Sequence, residues 1–216
     1  MKIPIRPNRH MGGRRYFPDV RDRLYPMRTA MRGIPSLPVT WDIGPTIDQG
    51  ATPQCVAYAC ANWLSCLPIR TIVDTPVWED ELYHWAQRID EWPGEDYEGT
   101  SVRAGFQVLQ AEGHIRNYVW AQSEYDIFDF VASTGPVVMG TNWYDGMFDP
   151  DNAGFLNLTG AVVGGHAWLL YGVTADFYLM QNSWGSWGLP GGTAKIRRAD
   201  VARLLQEDGE AGAGVE

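Results

Sequence analysis

The chain has 216 residues, of which 45% are hydrophobic, and its 26 acidic against 17 basic residues give a formal net charge of -9. This length and hydrophobic content predict a globular protein with a sizeable core. The acidic balance argues against nucleic-acid binding, which needs a basic surface, and the lack of a run of about 18 apolar residues argues against a membrane span.

Residues 1–36 are predicted to form an extended, basic, proline-rich arm, because they show little apolar periodicity. Arginines are concentrated in this segment at Arg6, Arg9, Arg14, Arg15, Arg21, Arg23, Arg28 and Arg32. Such an arm can lie on the acidic remainder of the same molecule or on another acidic partner. Both interpretations stay open, and a protein partner bound through the arm is one of the predictions.

The residues that follow are predicted to be mainly helical. An apolar run without Gly or Pro covers residues 54–67, and further helical patterns cover 78–91 and 101–112. Gly113 follows the third pattern at a C-cap position. The first half of the chain therefore predicts a helical layer.

Short apolar runs replace these patterns in the second half of the chain. They cover residues 137–141, 166–173, 177–183 and 193–198. Gly-rich turns separate them, which is typical of strands. Helices followed by strands predict an α+β chain, and a cleft between two such lobes is a common ligand site.

The first predicted helix begins close to a cysteine. Thr52 suits an N-cap and Pro53 the first helical position, which places Cys55 in the first turn. The partial positive charge of a helix N-terminus favours the reactive thiolate. A cysteine that only packs is the alternative, and we keep that interpretation for Cys60 and Cys66. The odd cysteine count predicts reduced thiols rather than a disulfide framework.

A nucleophilic thiol needs a base. Of the histidines, His166 follows Gly164-Gly165 and opens an apolar run, where an imidazole can be held rigidly. Sixteen positions later, Asn182 ends another apolar run and Trp184 follows it. The amide can accept a hydrogen bond from the imidazole, and the tryptophan can shield that bond from water.

These residues resemble the papain-like cysteine peptidase family. The matching segments are Leu37-Pro38, Trp41-Asp42, Asp48-Gln49-Gly50 with Cys55, Glu98-Gly99-Thr100-Ser101, Gly165-His166-Ala167, and Asn182-Ser183-Trp184-Gly185 with Trp187-Gly188. They occur in the family's order and span residues 37–198. The short spacings between them resemble compact bacterial and bacteriophage members.

The resemblance implies a fold of two lobes with the active site in the cleft between them. The peptidase domain would cover residues 37–216. Its helical lobe would span about 41–118 and an antiparallel, β-barrel-like lobe about 119–198, with a C-terminal helix and tail at 199–216.

The resemblance also implies the roles of the site residues. Cys55 would be the nucleophile, His166 its ion-pair partner and later general acid, and Asn182 the residue that orients His166. The side chain of Gln49 and the backbone N–H of Cys55 would stabilise the oxyanion. Substrate contacts are expected at Gly99, Thr100, Trp143, Ala167 and Trp184. The family needs no metal or cofactor.

The predicted function is hydrolysis of peptide or isopeptide bonds through a thioester, with a peptide or protein as substrate. Two alternatives stay open: a thiol amidase of cell-wall peptide, and a non-catalytic assembly component that keeps the fold. No helical pro-domain is evident before residue 37, so we expect no inhibitory pro-segment. The first residues also lack the apolar core of a signal peptide. We therefore expect a cytoplasmic protein, or a virion-associated one if a phage encodes it.

Overall fold

A computed structural model describes residues 9–34, 36–71 and 76–215 of the chain. Residues 1–8 of the predicted arm, with Arg6, lie outside the described residues. Among the residues that are described, no helix has the length and apolar content that crossing a bilayer requires.

The helical layer consists of α1 (Cys55–Ser65), α2 (Pro76–Ile89) and α3 (Val102–Ala111). Every residue of α1 is buried, as its unbroken apolar run predicts. The Ser101 hydroxyl accepts a hydrogen bond from the N–H of Ala104 at the start of α3. Gly113 has a φ of 80° just beyond its end, as expected for a C-cap glycine.

The strands are β1 (Val39–Thr40), β2 (Asn117–Trp120), β3 (Val137–Tyr144), β4 (Val162–Val173), β5 (Phe177–Gln181), β6 (Thr193–Arg197) and β7 (Glu210–Val215). The sheet has the order β2-β7-β3-β4-β5-β6, and β1 pairs with β4. All these pairs are antiparallel. Helix α4 (Glu124–Ser133) precedes β3, and α5 (Arg198–Gln206) follows β6.

The hydrophobic core lies on both faces of the sheet. One cluster joins α1 and α3 to the sheet around Trp63 and Phe106. The other lies beneath α4 and α5 and contains Trp168 and Tyr178. The helical lobe therefore packs directly on the strands that carry the candidate base and its partner.

The structure differs from the predictions in three places. The sheet is open, with β2 and β6 at its edges, rather than barrel-like. The predicted C-terminal tail contains β7, which lies inside the sheet. Four of the six residues in its sequence, EAGAGV, are Ala or Gly, because aromatic rings cover the strand: a Cβ at Gly214 would lie 2.4 Å from the Trp63 ring. Strand β2 and helix α4 were not predicted either.

Helices α1 and α3 approach each other closely at Gly105. A Cβ at this position would lie 2.9 Å from Val56 Cγ1 and 3.0 Å from Cys60 Sγ. We expect Gly105→Ala to lower the free energy of unfolding by about 1–2 kcal/mol, because crowding outweighs the gain in helix propensity. Urea unfolding measures this loss. In a Cys60→Ala background the loss should be smaller, and an equal loss in both backgrounds would contradict the close contact.

Candidate active site

The thiol of Cys55 lies at the N-terminus of α1. The helix begins at Cys55 itself, with Gln54 as N-cap, so the predicted cap at Thr52 is wrong. Thr52 instead donates its hydroxyl to the carbonyl of Gln49 in the preceding turn, at 2.7 Å. Cys55 nevertheless occupies the first turn, where the helix dipole favours a thiolate.

Strands β4 and β5 bring His166 and Asn182 together. Leu169 of β4 pairs with Gln181 of β5, so His166 and Asn182 both lie just beyond the same end of this pairing. His166 Nε2 lies 2.8 Å from Asn182 Oδ1, which also accepts the N–H of Ser183 at 2.8 Å. An amide oxygen only accepts, so Nε2 carries the proton. Nδ1 is then the basic nitrogen, and it has no hydrogen-bond partner among the described residues.

The thiol lies against the strand that carries the imidazole. The N–H of Ala167, the residue after His166, donates to Cys55 Sγ at 3.4 Å. The candidate nucleophile, base and orienting amide thus converge from α1, β4 and the end of β5. This convergence is the arrangement that thiol-dependent acyl transfer requires.

Two tryptophans surround the imidazole. The centre of the Trp184 ring lies 4.7 Å from that of His166, and the two rings are inclined by 33°. The Trp143 ring lies 5.0 Å away and nearly perpendicular. Trp143 is fully buried, so in this conformation it packs against His166 instead of facing the cleft as expected. Both rings keep water away from the base.

The side chain of Gln49, the expected oxyanion donor, is engaged elsewhere in this conformation. Its Nε2 donates to the carbonyl of Thr52 at 2.9 Å, and its Oε1 accepts the hydroxyl of Ser183 at 2.6 Å. Gln49 is therefore held between Thr52 and Ser183, with its side-chain donor turned towards its own loop.

Residues of the arm run through the cleft and cover the thiol. Thr100 N–H donates to Gly13 O at 3.1 Å, and Arg15 N–H donates to Thr100 O at 2.9 Å. A Cβ at Gly13 would lie 2.8 Å from Cys55 Sγ and 2.6 Å from Pro53 O. The segment upstream of residue 37 therefore covers the cleft, although its described residues form no α-helix.

Both walls of the cleft have glycines where the arm passes. A Cβ at Gly99 would lie 2.3 Å from Gly12 O, and one at Gly164 would lie 1.6 Å from Met11 O. On the same wall, Arg14 N–H donates to Gly165 O at 3.5 Å. Gly99 and Thr100, predicted to contact substrate, thus contact the arm.

Three arginines of the arm contact residues in the rest of the same chain. Arg9 pairs with Asp48 and donates to Trp184 O at 3.0 Å. Arg14 pairs with Glu210 at 3.1 Å, and Arg15 lies over the Trp92 ring at 4.1 Å. Of the two interpretations of the basic arm, the structure shows contact with its own molecule.

Burial holds both reacting groups neutral in this covered state. It raises the pKa of the Cys55 thiol to about 12 and lowers the pKa of His166 to about 4. The hydrogen bond to Asn182 offsets only part of the latter shift. The ion pair that the resemblance implies is therefore absent while the arm covers the site.

The neutral His166 makes the fold sensitive to acid. The groups around His166 are the Cys55 thiol, the Asn182 amide, the two tryptophans and the more distant cation of Arg9, which also lowers its pKa. An unfolded histidine takes up a proton below pH 6.5, whereas folded His166 stays neutral down to about pH 4. Stability is therefore full above pH 6.5 and is lost as the pH falls towards 4.

From pH 7 to 5 we expect the unfolding free energy of the wild type to fall by about 2 kcal/mol through His166. His166→Gln should lack this contribution, since every other titrating group is the same. Urea unfolding of both proteins at the two pH values measures the difference. Equal losses would show that His166 is protonated as readily when folded as when unfolded.

Sequence reasoning missed three residues of this site, Gly13, Arg14 and Glu210. The pair Gly12-Gly13 in a basic arm was the available signal, but a glycine pair by itself indicates only a turn. Cys60 and Cys66 are free, buried thiols in the helical lobe, as the packing interpretation predicts. Within the described residues, no three His, Cys, Asp or Glu side chains converge as a metal site would require.

Comparisons with known proteins give the fold. No protein-family model and no curated protein sequence matches the chain. Xylellain, a cysteine protease from Xylella fastidiosa, superposes with a TM-score of 0.64 at 18% identity, covering 96% of this chain and 98% of its own. Digestive procathepsin L 3 from the larval midgut of Tenebrio molitor has a TM-score of 0.63 at 14% identity, covering 98% and 77%.

A recombinant stem bromelain precursor superposes with a TM-score of 0.57 at 12% identity, covering 96% of this chain and 78% of its own. The chain therefore has the papain-like two-lobe α+β fold, as predicted, with an open sheet.

Proposed function

We propose that the chain is a cysteine peptidase that hydrolyses peptide or isopeptide bonds through Cys55, His166 and Asn182, and that the described conformation is its latent form. The observation that carries this proposal is the 2.8 Å contact between His166 and Asn182, beside a thiol at a helix N-terminus. The same fold in cysteine proteases supports it.

Opening of the cleft would activate the thiol. When the arm leaves, water reaches Cys55 and His166 and the energetic cost of their charged forms falls. The Sγ proton then moves to Nδ1 of His166, while Nε2–H stays bonded to Asn182. The fixed tautomer leaves the basic nitrogen free to take that proton.

The acyl-transfer steps follow from this ion pair. The thiolate attacks the carbonyl carbon, and the oxyanion accepts hydrogen bonds from Cys55 N–H and from Gln49 Nε2 after this amide leaves Thr52 O. His166 donates its Nδ1 proton to the leaving amine, and a thioester remains. Water then attacks the thioester, His166 takes up the water proton, and the carboxylic product leaves as the thiol re-forms.

The geometry of the arm supports its role as an occupant rather than a substrate. Gly13 O accepts from Thr100 N–H, and Gly12 O lies against Gly99. Among the described contacts, neither carbonyl is held by Gln49 or by the Cys55 N–H, so neither is presented for attack. The neighbours named procathepsin and bromelain precursor are also precursor forms, which supports latency.

The test is hydrolysis of a peptide library between pH 5 and 8, with iodoacetamide labelling followed by intact mass. In the Gly13→Leu variant the new side chain has no room beside Cys55, so the arm is expected to leave the cleft. Gly13→Leu/Cys55→Ala is its matched control. We expect cleavage and rapid single labelling in the first and neither in the second. Rapid labelling with an intact library would reject peptidase activity. Cleavage of cell-wall peptides alone would favour the amidase alternative, and slow labelling without cleavage would favour an assembly component.

A further inference from the structure

The side chain of Arg14 fills a closed pocket beside the nucleophile. Its side chain is 2% exposed, and Nε donates to Glu210 Oε1 at 3.1 Å. Nη2 donates to the carbonyl of Asp208 at 2.6 Å, and the guanidinium lies 4.9 Å from the centre of the Tyr16 ring. Two separate N–H donors of the guanidinium thus find hydrogen-bond acceptors in the pocket.

One wall of the pocket makes room for this group by having no side chain at Gly140. A Cβ at Gly140 would lie 2.9 Å from Arg14 Nε, 3.0 Å from Glu210 Oε1 and 2.7 Å from Val102 Cγ2. The absence of a side chain at Gly140 therefore makes the space that the ion pair occupies. The planar guanidinium of arginine has several N–H donors that point in different directions, so it reaches both the carboxylate and the carbonyl. Lysine has a single ammonium group, which cannot reach the two acceptors in the same way.

The pocket belongs to the body of the protein, whereas its occupant belongs to the removable arm. Glu210 lies in β7, inside the sheet. Burial raises the pKa of Glu210, which shows how poorly its environment replaces water. A buried carboxylate that loses its cation is costly. Departure of Arg14 therefore leaves a pocket that favours another cation.

The location of the pocket ties it to the reaction. Arg14 directly follows Gly13, which lies on Cys55 Sγ, and the Arg14 N–H donates to Gly165 beside His166. A peptide threaded through the same cleft would place one side chain in this pocket within about one residue of the attacked bond.

We propose that this pocket is a substrate subsite selective for an arginine side chain, with Glu210 as its charge partner and the Asp208 carbonyl as its second acceptor. The proposal rests on the proposed peptidase function and names the substrate class, which is peptides with arginine near the cleaved bond. Arg14 is then the internal competitor for that subsite.

The test compares arginine with citrulline, which has the same shape but no charge, at each position of a peptide substrate in turn. The enzyme is the full-length Gly13→Leu protein, and the Gly13→Leu/Glu210→Gln protein is compared with it. At one position, kcat/KM should favour arginine by at least about tenfold, as expected for a charge-assisted bond. In the Glu210→Gln variant the ratio of kcat/KM for the arginine peptide over the citrulline peptide should fall to within about twofold.

A binding measurement separates this proposal from the peptidase function. N-acetyl-argininamide should raise the melting temperature of Gly13→Leu/Cys55→Ala, whereas N-acetyl-citrullinamide should not. Arginine-selective binding without cleavage of any peptide would reject the peptidase and keep the subsite. Cleavage without any arginine preference would overturn the subsite and keep the peptidase. If the Glu210→Gln protein fails to fold, the arginine-to-citrulline ratio of Gly13→Leu decides alone.

Discussion

Gly13→Leu should raise the rate at which iodoacetamide labels Cys55 by at least about tenfold at pH 7. The new side chain would have to occupy space held by Pro53 O and Cys55 Sγ, and the backbone of Pro53 cannot move aside cheaply. The arm must then lift from the cleft. Water reaches the thiol, whose pKa falls from about 12, and each unit of that fall gives about tenfold more thiolate at neutral pH.

The neighbouring glycine provides the matched control for this experiment. A Cβ at Gly12 would contact only the His10 side chain of the arm itself, at 3.1 Å. Gly12→Leu should therefore leave the labelling rate near that of the wild type. Intact mass after timed exposure measures both rates, and Gly13→Leu/Cys55→Ala identifies the labelled thiol. Equal rates for the two leucine variants would contradict closure of the cleft at Gly13.

The largest loss of stability is expected for Arg103→Met. Arg103 in α3 is 4% exposed and pairs with Asp22 of the arm and with Glu91. Asp19 lies 3.8 Å from the same guanidinium. Removal of the cation leaves these carboxylates facing one another in a poorly hydrated place. We expect the unfolding free energy to fall by about 3–5 kcal/mol.

The comparison variant is Arg88→Met, which removes an exposed pair with Glu95 from α2. Because that pair is solvated, its loss should cost less than about 1 kcal/mol. Urea unfolding of the two variants gives the contrast. If Arg103→Met also frees the arm, Cys55 labelling should rise with it. A similar small loss for both variants would show that the Arg103 cluster contributes no more than a surface pair.

The catalytic candidates could be predicted because their signals are local. Cys55 opens an unbroken apolar run that only a buried helix explains, and this run became α1. His166 and Asn182 each lie at an apolar run bounded by glycines or tryptophans. Adjacent antiparallel strands then bring them to 2.8 Å. Recognition of a family pattern supplied the roles that spacing alone leaves open.

The covered cleft could not be predicted in the same way. The pairing of Arg14 with Glu210 joins positions 196 apart, and neither residue has a local pattern that indicates the other. The path of the arm depends on missing side chains, at Gly13, Gly99 and Gly164, rather than on any attractive motif. Strand β7 could not be predicted for a related reason. Its residues are small because aromatic rings pack closely on it, and small residues are not typical of strands.

The position of β7 also determines when the arm can cover the cleft during synthesis on the ribosome. Residues of the arm are translated before the helices and strands of the cleft, whereas Glu210, which pairs with Arg14, is translated after every catalytic candidate. Strand β7 lies between β2 and β3, so the sheet is incomplete until residues 210–215 have left the ribosomal exit tunnel. We therefore expect the finished cleft and its cover to form in the same step. A nascent chain would then not display the Cys55 thiol uncovered in a finished cleft to other proteins being made nearby.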